Sequence, residues 1–270
     1  MPDHAQAVTA TLLVNGIRLH QEERGEGTPI LGIHGCGGSA VFWERAMGEL
    51  ARLGRAISYD RRGNGRSERP APYERVSVAQ HADDAAALLE ALGAAPAVVI
   101  GRSYGGEVAT DLALRYPERV RALVLLEGVP VLLHPGAEAY TRALADRLRA
   151  VAAASGSGAV GEALVAEVAG AGAWESLPEE LRRVLTENGP AILAELNGEW
   201  LRVDARAIAT IHQPVLLVGA AGSHPALRDP NDAMATALPH ARTVVLGGGH
   251  LIDPAAPEVL AFVREVLGAA

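Results

Sequence analysis

Through the first half of the chain, short apolar runs alternate with longer segments whose apolar positions recur every three or four residues. This is the rhythm of strands joined by crossover helices. Strands are predicted at ATLLV, RLHQEE, PILGIH, RAISYD, AVVIG and RALVLLE. Helices are predicted near 40 to 53, 76 to 92 and 104 to 116, the last ending at Tyr116-Pro117. The pattern changes after Pro130. Up to about residue 206 the sequence is rich in Ala, Leu and Glu at helical spacing, with a Gly/Ser interruption from Ser155 to Gly158 and no strand signal, which predicts an inserted helical cap. Strand signals return at PVLLVG and ARTVVLG, and a last helix opens at Pro254 and runs through PEVLAFVREVL. The expected organisation is a single α/β domain over 1–270, with a core of 1–130 and 207–270 and a cap of about 131–206.

Composition narrows the function. Hydrophobic residues at 49% and charged residues at 21% supply enough apolar surface to offset the entropy of ordering the chain. A formal charge of −8 argues against a nucleic-acid partner, since that affinity comes from cations on phosphates. All 24 basic residues are Arg, which excludes both the P-loop lysine and a Schiff-base lysine. Cys36 is the one cysteine, so no disulfide framework is expected, and no Cys/His spacing suggests a metal. The start MPDHAQAVTA has no basic segment followed by an apolar one, and no later run approaches bilayer length. A cytoplasmic protein without a membrane partner is therefore expected, its oligomeric state left open.

The strongest chemical signal is Gly101-Arg102-Ser103-Tyr104-Gly105, directly after the buried-type strand AVVI and directly before a helical pattern with Val108, Leu112 and Leu114. A serine at such a strand-to-helix turn is held in a strained conformation with its hydroxyl clear of the backbone, and the helix N-terminus favours developing negative charge. Ser103 is the expected nucleophile. His34-Gly35-Cys36-Gly37-Gly38 follows the strand PILGI, and its glycines leave room for a backbone N–H to face a reacting carbonyl. Cys36, or alternatively Gly35, would form an oxyanion hole with the N–H of Tyr104. The Cys36 side chain reads as a small apolar filler.

A serine hydroxyl needs a neighbouring base, and His250, in Gly247-Gly248-Gly249-His250 between a strand and the last helix, is the expected one. The acid must lie between Ser103 and His250 in the chain. Glu127 ends the strand ALVLLE and would project from the same sheet edge as Ser103. Asp229 and Asp232, beyond the strand PVLLVG, are the alternatives. Tyr59 to Ser67 is rich in turn formers and reads as structural. Trp174 and Trp200, in the cap, are candidate walls of an apolar substrate pocket or core filler.

Taken together, the His34 loop, the Asp60 to Ser67 turn, the Gly101 to Gly105 elbow, the helical cap and the Gly249-His250 loop resemble the α/β-hydrolase superfamily over nearly the whole chain. The resemblance implies an α/β-hydrolase fold, an eight-stranded, mostly parallel, doubly wound sheet. In that superfamily the acid commonly follows the seventh strand, near Gly222 here, where this sequence has no carboxylate. Haloalkane dehalogenases and fungal zearalenone lactonases are similar in placing a glutamate after the sixth strand, the position of Glu127. Dehalogenases use an Asp nucleophile, so Ser103 counts against that activity. The segments Glu127-Gly128-Val129-Pro130 and Gly219-Ala220-Ala221 resemble those of the lactonases.

The expected activity is hydrolysis of a small apolar ester or lactone through an acyl-enzyme, without metal or organic cofactor. Carbon-carbon bond hydrolysis or perhydrolysis on the same triad, or a ligand-binding receptor with little turnover, are the alternatives.

Overall fold

The computed structural model describes residues 7–268. Its strands are β1 (Val8–Val14), β2 (Ile17–Arg24), β3 (Pro29–Ile33), β4 (Arg55–Tyr59), β5 (Ala97–Arg102), β6 (Val120–Leu126), β7 (Val215–Ala220) and β8 (Arg242–Leu246). They form one sheet in the order β1-β2-β4-β3-β5-β6-β7-β8. β1 and β2 are an antiparallel hairpin closed by Asn15-Gly16, both at positive φ, the dipeptide such a turn favours. β2 also meets β4 antiparallel, and β4, β3 and β5 through β8 run parallel.

The apolar runs of the central strands follow from burial on both faces, as a parallel sheet covered by helices requires. Along β5, Ala97 and Val99 face a core layer built with α2 (Val78–Ala91) and α3 (Tyr104–Arg115). Val98 and Ile100 face the opposite layer, built with α1 (Glu44–Leu50) and the last helix, which spans Pro257–Val266. The same alternation continues in β6 and β7, so the strands carry apolar residues at successive positions rather than every second one.

Between β6 and β7 the chain is helical, without a strand: α4 (Pro135–Ser155), α5 (Val160–Ala169), α6 (Ala173–Ser176), α7 (Glu179–Glu187), α8 (Gly189–Leu196) and α9 (Ala205–Ile208). The Gly/Ser interruption ends α4, with Gly156 at its C-cap in a backbone region that suits glycine (φ 82°). Leu144, Leu148, Val160, Leu164 and Ile192 give this insertion its own small core, and Cys36 of the main domain packs against it. The helices thus sit over the carboxyl end of β3.

The chain completes its path through α10 (Pro225–Arg228), α11 (Pro230–Ala237) and the last helix, α12. That helix does not open at Pro254. The Asp253 carboxylate and carbonyl first accept from the N–H groups of Ala255 and Ala256 in a tight turn, and the helix begins at Pro257, whose missing N–H is harmless at a first helical position.

Candidate active site

The turn between β5 and α3 forces Ser103 into φ 52° and ψ −127°, a conformation that L-residues rarely adopt. Its small neighbours are required: a Cβ on Gly105 would lie 2.3 Å from the Ile33 carbonyl oxygen, and one on Gly101 would lie 2.5 Å from that of Gly105. Glu127 is a second non-glycine residue at positive φ, at 43°. Such strain costs roughly 1–3 kcal/mol per residue and persists where the surroundings over-determine it. Here the N–H of Ser103 donates to the Leu126 carbonyl at 3.0 Å and that of Glu127 to the Val218 carbonyl at 2.9 Å, fixing both turns to the sheet.

The outcome is a continuous line of side chains. His250 Nε2 lies 2.9 Å from Ser103 Oγ, and its Nδ1 lies 2.7 Å from Glu127 Oε2. In the neutral imidazole, Nδ1–H donates to the carboxylate and leaves Nε2 to accept the serine O–H. Glu127 is held in turn by the Ala220 N–H on Oε1 and the Ser223 hydroxyl on Oε2, each at 2.8 Å. The alternative acids are elsewhere: Asp229 pairs with Arg228 at 3.0 Å, and Asp232 is exposed in the first turn of α11.

The β3–α1 loop abuts this line. A Cβ on Gly35 would approach Ser103 Cβ to 3.3 Å, and the backbone N–H groups of Cys36 and Tyr104 donate to no acceptor among the described residues. The Gly35 carbonyl is turned away and triply held, accepting from His34 Nδ1 at 2.8 Å, Arg61 Nη2 at 2.9 Å and the Gly38 N–H at 3.1 Å. Burial, with the Cys36 thiol further disfavoured as thiolate by the Glu195 carboxylate, raises that thiol well above its ordinary value. It is no nucleophile at neutral pH, in keeping with a filler.

The Asp60 to Ser67 turn braces the loop beside the site. Arg61, fully buried, donates through Nε to the His34 carbonyl at 3.1 Å and pairs with Glu195 of α8 at 2.9 Å. Asn188, at the start of α8, donates to the carbonyls of Gly37 and Gly38, both at 2.9 Å. One helix of the insertion therefore holds the same loop that carries Cys36.

Two largely apolar cavities meet at Ser103 and Cys36. One is bounded by Glu107, Val129, Leu144, Leu164, Trp200 and Leu227. The other is bounded by Phe42, Arg102, Val165, Leu185, His250 and Leu251. A larger cleft between α2 and the insertion contains none of Ser103, Glu127 or His250. Trp200 thus faces the first cavity, but Trp174 lines neither. Leu164 and Val168 of the neighbouring α5 form that wall, and Trp174 sits half-buried on the four-residue α6. Among the described residues, no three His, Cys, Asp or Glu side chains come together as a metal site, and no helix is long and apolar enough to cross a membrane.

A serine at a strand-to-helix turn, a late histidine and a loop at the carboxyl edge of a mostly parallel sheet define a class. A family model described as alpha/beta hydrolase fold matches residues 28–252, and the chain belongs to the α/β-hydrolase family. It is similar to the 2-hydroxymuconate semialdehyde hydrolase of Pseudomonas putida, 36% identical over 155 residues, which is 55% of each protein. The chain spans about half the length of the curated relatives it matches. Among solved structures, a thermophilic esterase from Thermogutta terrifontis aligns over 98% of both chains at 29% identity with a TM-score of 0.75. An N-acyl homoserine lactone degrading enzyme aligns over 97% of this chain and 100% of its own at 25% identity and a TM-score of 0.72.

Proposed function

We propose that this chain is a serine hydrolase that cleaves a carboxylic ester or lactone. The observation that carries the proposal is the line Ser103 Oγ, His250, Glu127, with contacts of 2.9 and 2.7 Å. His250 Nε2 takes the serine proton as Oγ bonds to the substrate carbonyl carbon, and the carbonyl electrons move onto oxygen. The free N–H groups of Cys36 and Tyr104 receive that oxyanion. The oxyanion collapses, the C–O bond to the alcohol breaks, and the alkoxide leaves with the proton from the imidazolium. Water, deprotonated by the same nitrogen, then releases the acid and restores the serine. Glu127 keeps the ring in the tautomer that does this. The helical insertion over the cleft serves as the cap that excludes bulk water.

The apolar walls of both cavities support a small, mainly apolar substrate, and the esterase and lactone-degrading neighbours support the bond type. The 2-hydroxymuconate semialdehyde hydrolase relatives favour a second reading, carbon-carbon bond hydrolysis on the same side chains. Turnover of ester, lactone and β-diketone panels separates the two. Ester or lactone hydrolysis that vanishes in Ser103→Ala is the expected result, and β-diketone cleavage without ester turnover overturns it.

A further inference from the structure

Arg102 immediately precedes Ser103 and lines the cavity that also holds His250. Its guanidinium lies over the Phe42 ring, 5.4 Å from the centroid, and among the described residues it makes no ion pair and donates no side-chain hydrogen bond. The other lining residues include Leu164, Val165, Val168, Leu177 and Leu185, and Arg102 is the one permanently charged side chain on these walls. Arg102 is half-buried; its desolvation lowers the guanidinium to about 10, partly offset by Asp253, so the group is cationic at neutral pH. Asp253 itself is exposed, its carboxylate turned to the Ala255 N–H.

A cation in apolar surroundings is unfavourable until something supplies the opposite charge, and the same surroundings strengthen the attraction once it arrives. Placed over Phe42, the guanidinium has its planar fork of donors uncommitted, and that fork matches the geometry that a carboxylate accepts. We infer that Arg102 is a specificity-determining residue that binds a carboxylate on the substrate, so that the preferred ester or lactone carries one acidic group on an otherwise apolar frame. The arm that enters this cavity bears the carboxylate, while the scissile carbonyl sits at Ser103 and the remaining arm occupies the cavity beside Trp200. This rests on the ester- or lactone-cleaving reading above, and it deepens it by naming the substrate class.

The test has two parts. Mono-p-nitrophenyl glutarate is compared with p-nitrophenyl valerate, and 4-acetoxybenzoate with phenyl acetate, which places the carboxylate on either side of the scissile bond. For at least one pair the wild-type ratio of kcat/KM, acidic over neutral, exceeds about tenfold, and Arg102→Met and Arg102→Gln lower that ratio by roughly 10- to 100-fold, the worth of a charge-assisted hydrogen-bonded pair. Arg102→Lys recovers part of it. In parallel, calorimetry on Ser103→Ala compares hexanoate with hexanamide, where tighter binding of the acid that disappears in Ser103→Ala/Arg102→Met is expected. Arg102-dependent hexanoate binding without turnover of any ester sinks the hydrolytic reading and leaves the carboxylate site standing. Ratios at or below one for both pairs in the wild type, or ratios unchanged by Arg102→Met, overturn the carboxylate site.

Discussion

The Ser223 hydroxyl donates to Glu127 Oε2 at 2.8 Å, the same oxygen that faces His250 Nδ1 at 2.7 Å. Ser223 follows β7, near the position from which this fold commonly supplies its acid, and here it supports Glu127, the proposed acid, which follows β6. Glu127→Gln, which keeps the shape and removes the charge that orients the imidazole, lowers kcat on the order of a thousandfold or more. Ser223→Ala removes one of the bonds that aim the carboxylate and lowers kcat roughly tenfold. Asp229→Asn and Asp232→Asn leave kcat within about a factor of two. A crippling effect confined to either aspartate contradicts the assignment of Glu127.

Cys36 is predicted to be chemically quiet. Its thiol stays protonated at pH 8 because burial and the Glu195 carboxylate both disfavour the thiolate. Iodoacetamide treatment of the native protein at that pH leaves activity intact, and Cys36→Ala, which keeps the backbone N–H, retains most of kcat. Rapid inactivation tracking alkylation of Cys36 is the opposing result.

The ion pair between Arg61 and Glu195 joins the insertion to the loop that holds Cys36. Glu195→Ala leaves a guanidinium buried without its counter-charge, which costs on the order of 3–5 kcal/mol. The expected fall in Tm by calorimetry is roughly 10 °C for a chain of this size. Because Arg61 also holds the His34 and Gly35 carbonyls, kcat falls with it while the Ser103 to His250 contact is untouched. Unchanged Tm and kcat would show the pair to be incidental.

Glu107, on α3, accepts from the Val131 N–H at 3.1 Å where the insertion begins and from the Leu201 N–H at 3.3 Å beyond α8. Burial pushes its carboxyl up to about 7 from an ordinary 4.5, the two backbone donors offsetting part of the rise. Between those values the folded state holds a proton that the unfolded chain has released, so this group's contribution to stability declines as pH rises from about 4.5 to about 7. Thermal unfolding of wild type and Glu107→Gln across that window checks the sign: the wild type loses Tm relative to the variant as pH increases. A difference that is flat, or that runs the other way, contradicts it.

How much of this was legible in the sequence follows from the range of each interaction. The sheet was readable because strands buried on both faces are written as unbroken apolar runs, and the elbow because Gly101 and Gly105 each meet backbone that admits no side chain. Glu127 stood out for its place directly after β6. The pairings of Arg61 with Glu195, and of Glu107 with the two ends of the insertion, join distant segments, and no local pattern records them. A buried-type glutamate in the apolar pattern of α3 was the one available hint. Trp174, open in the sequence as pocket wall or core filler, lines neither cavity, and helical spacing carries no information about which way a four-residue helix faces. The opening of α12 lies at Pro257 and not at Pro254, a choice the sequence leaves open because both are good first helical residues and only the Asp253 turn distinguishes them.

Reaction of the native protein with a fluorophosphonate, followed by intact mass and peptide mapping, addresses the nucleophile directly. The account predicts one adduct, on Ser103, absent in Ser103→Ala and much slower to form in His250→Ala. A folded protein that shows no adduct at Ser103, or one modified equally fast without His250, would contradict it.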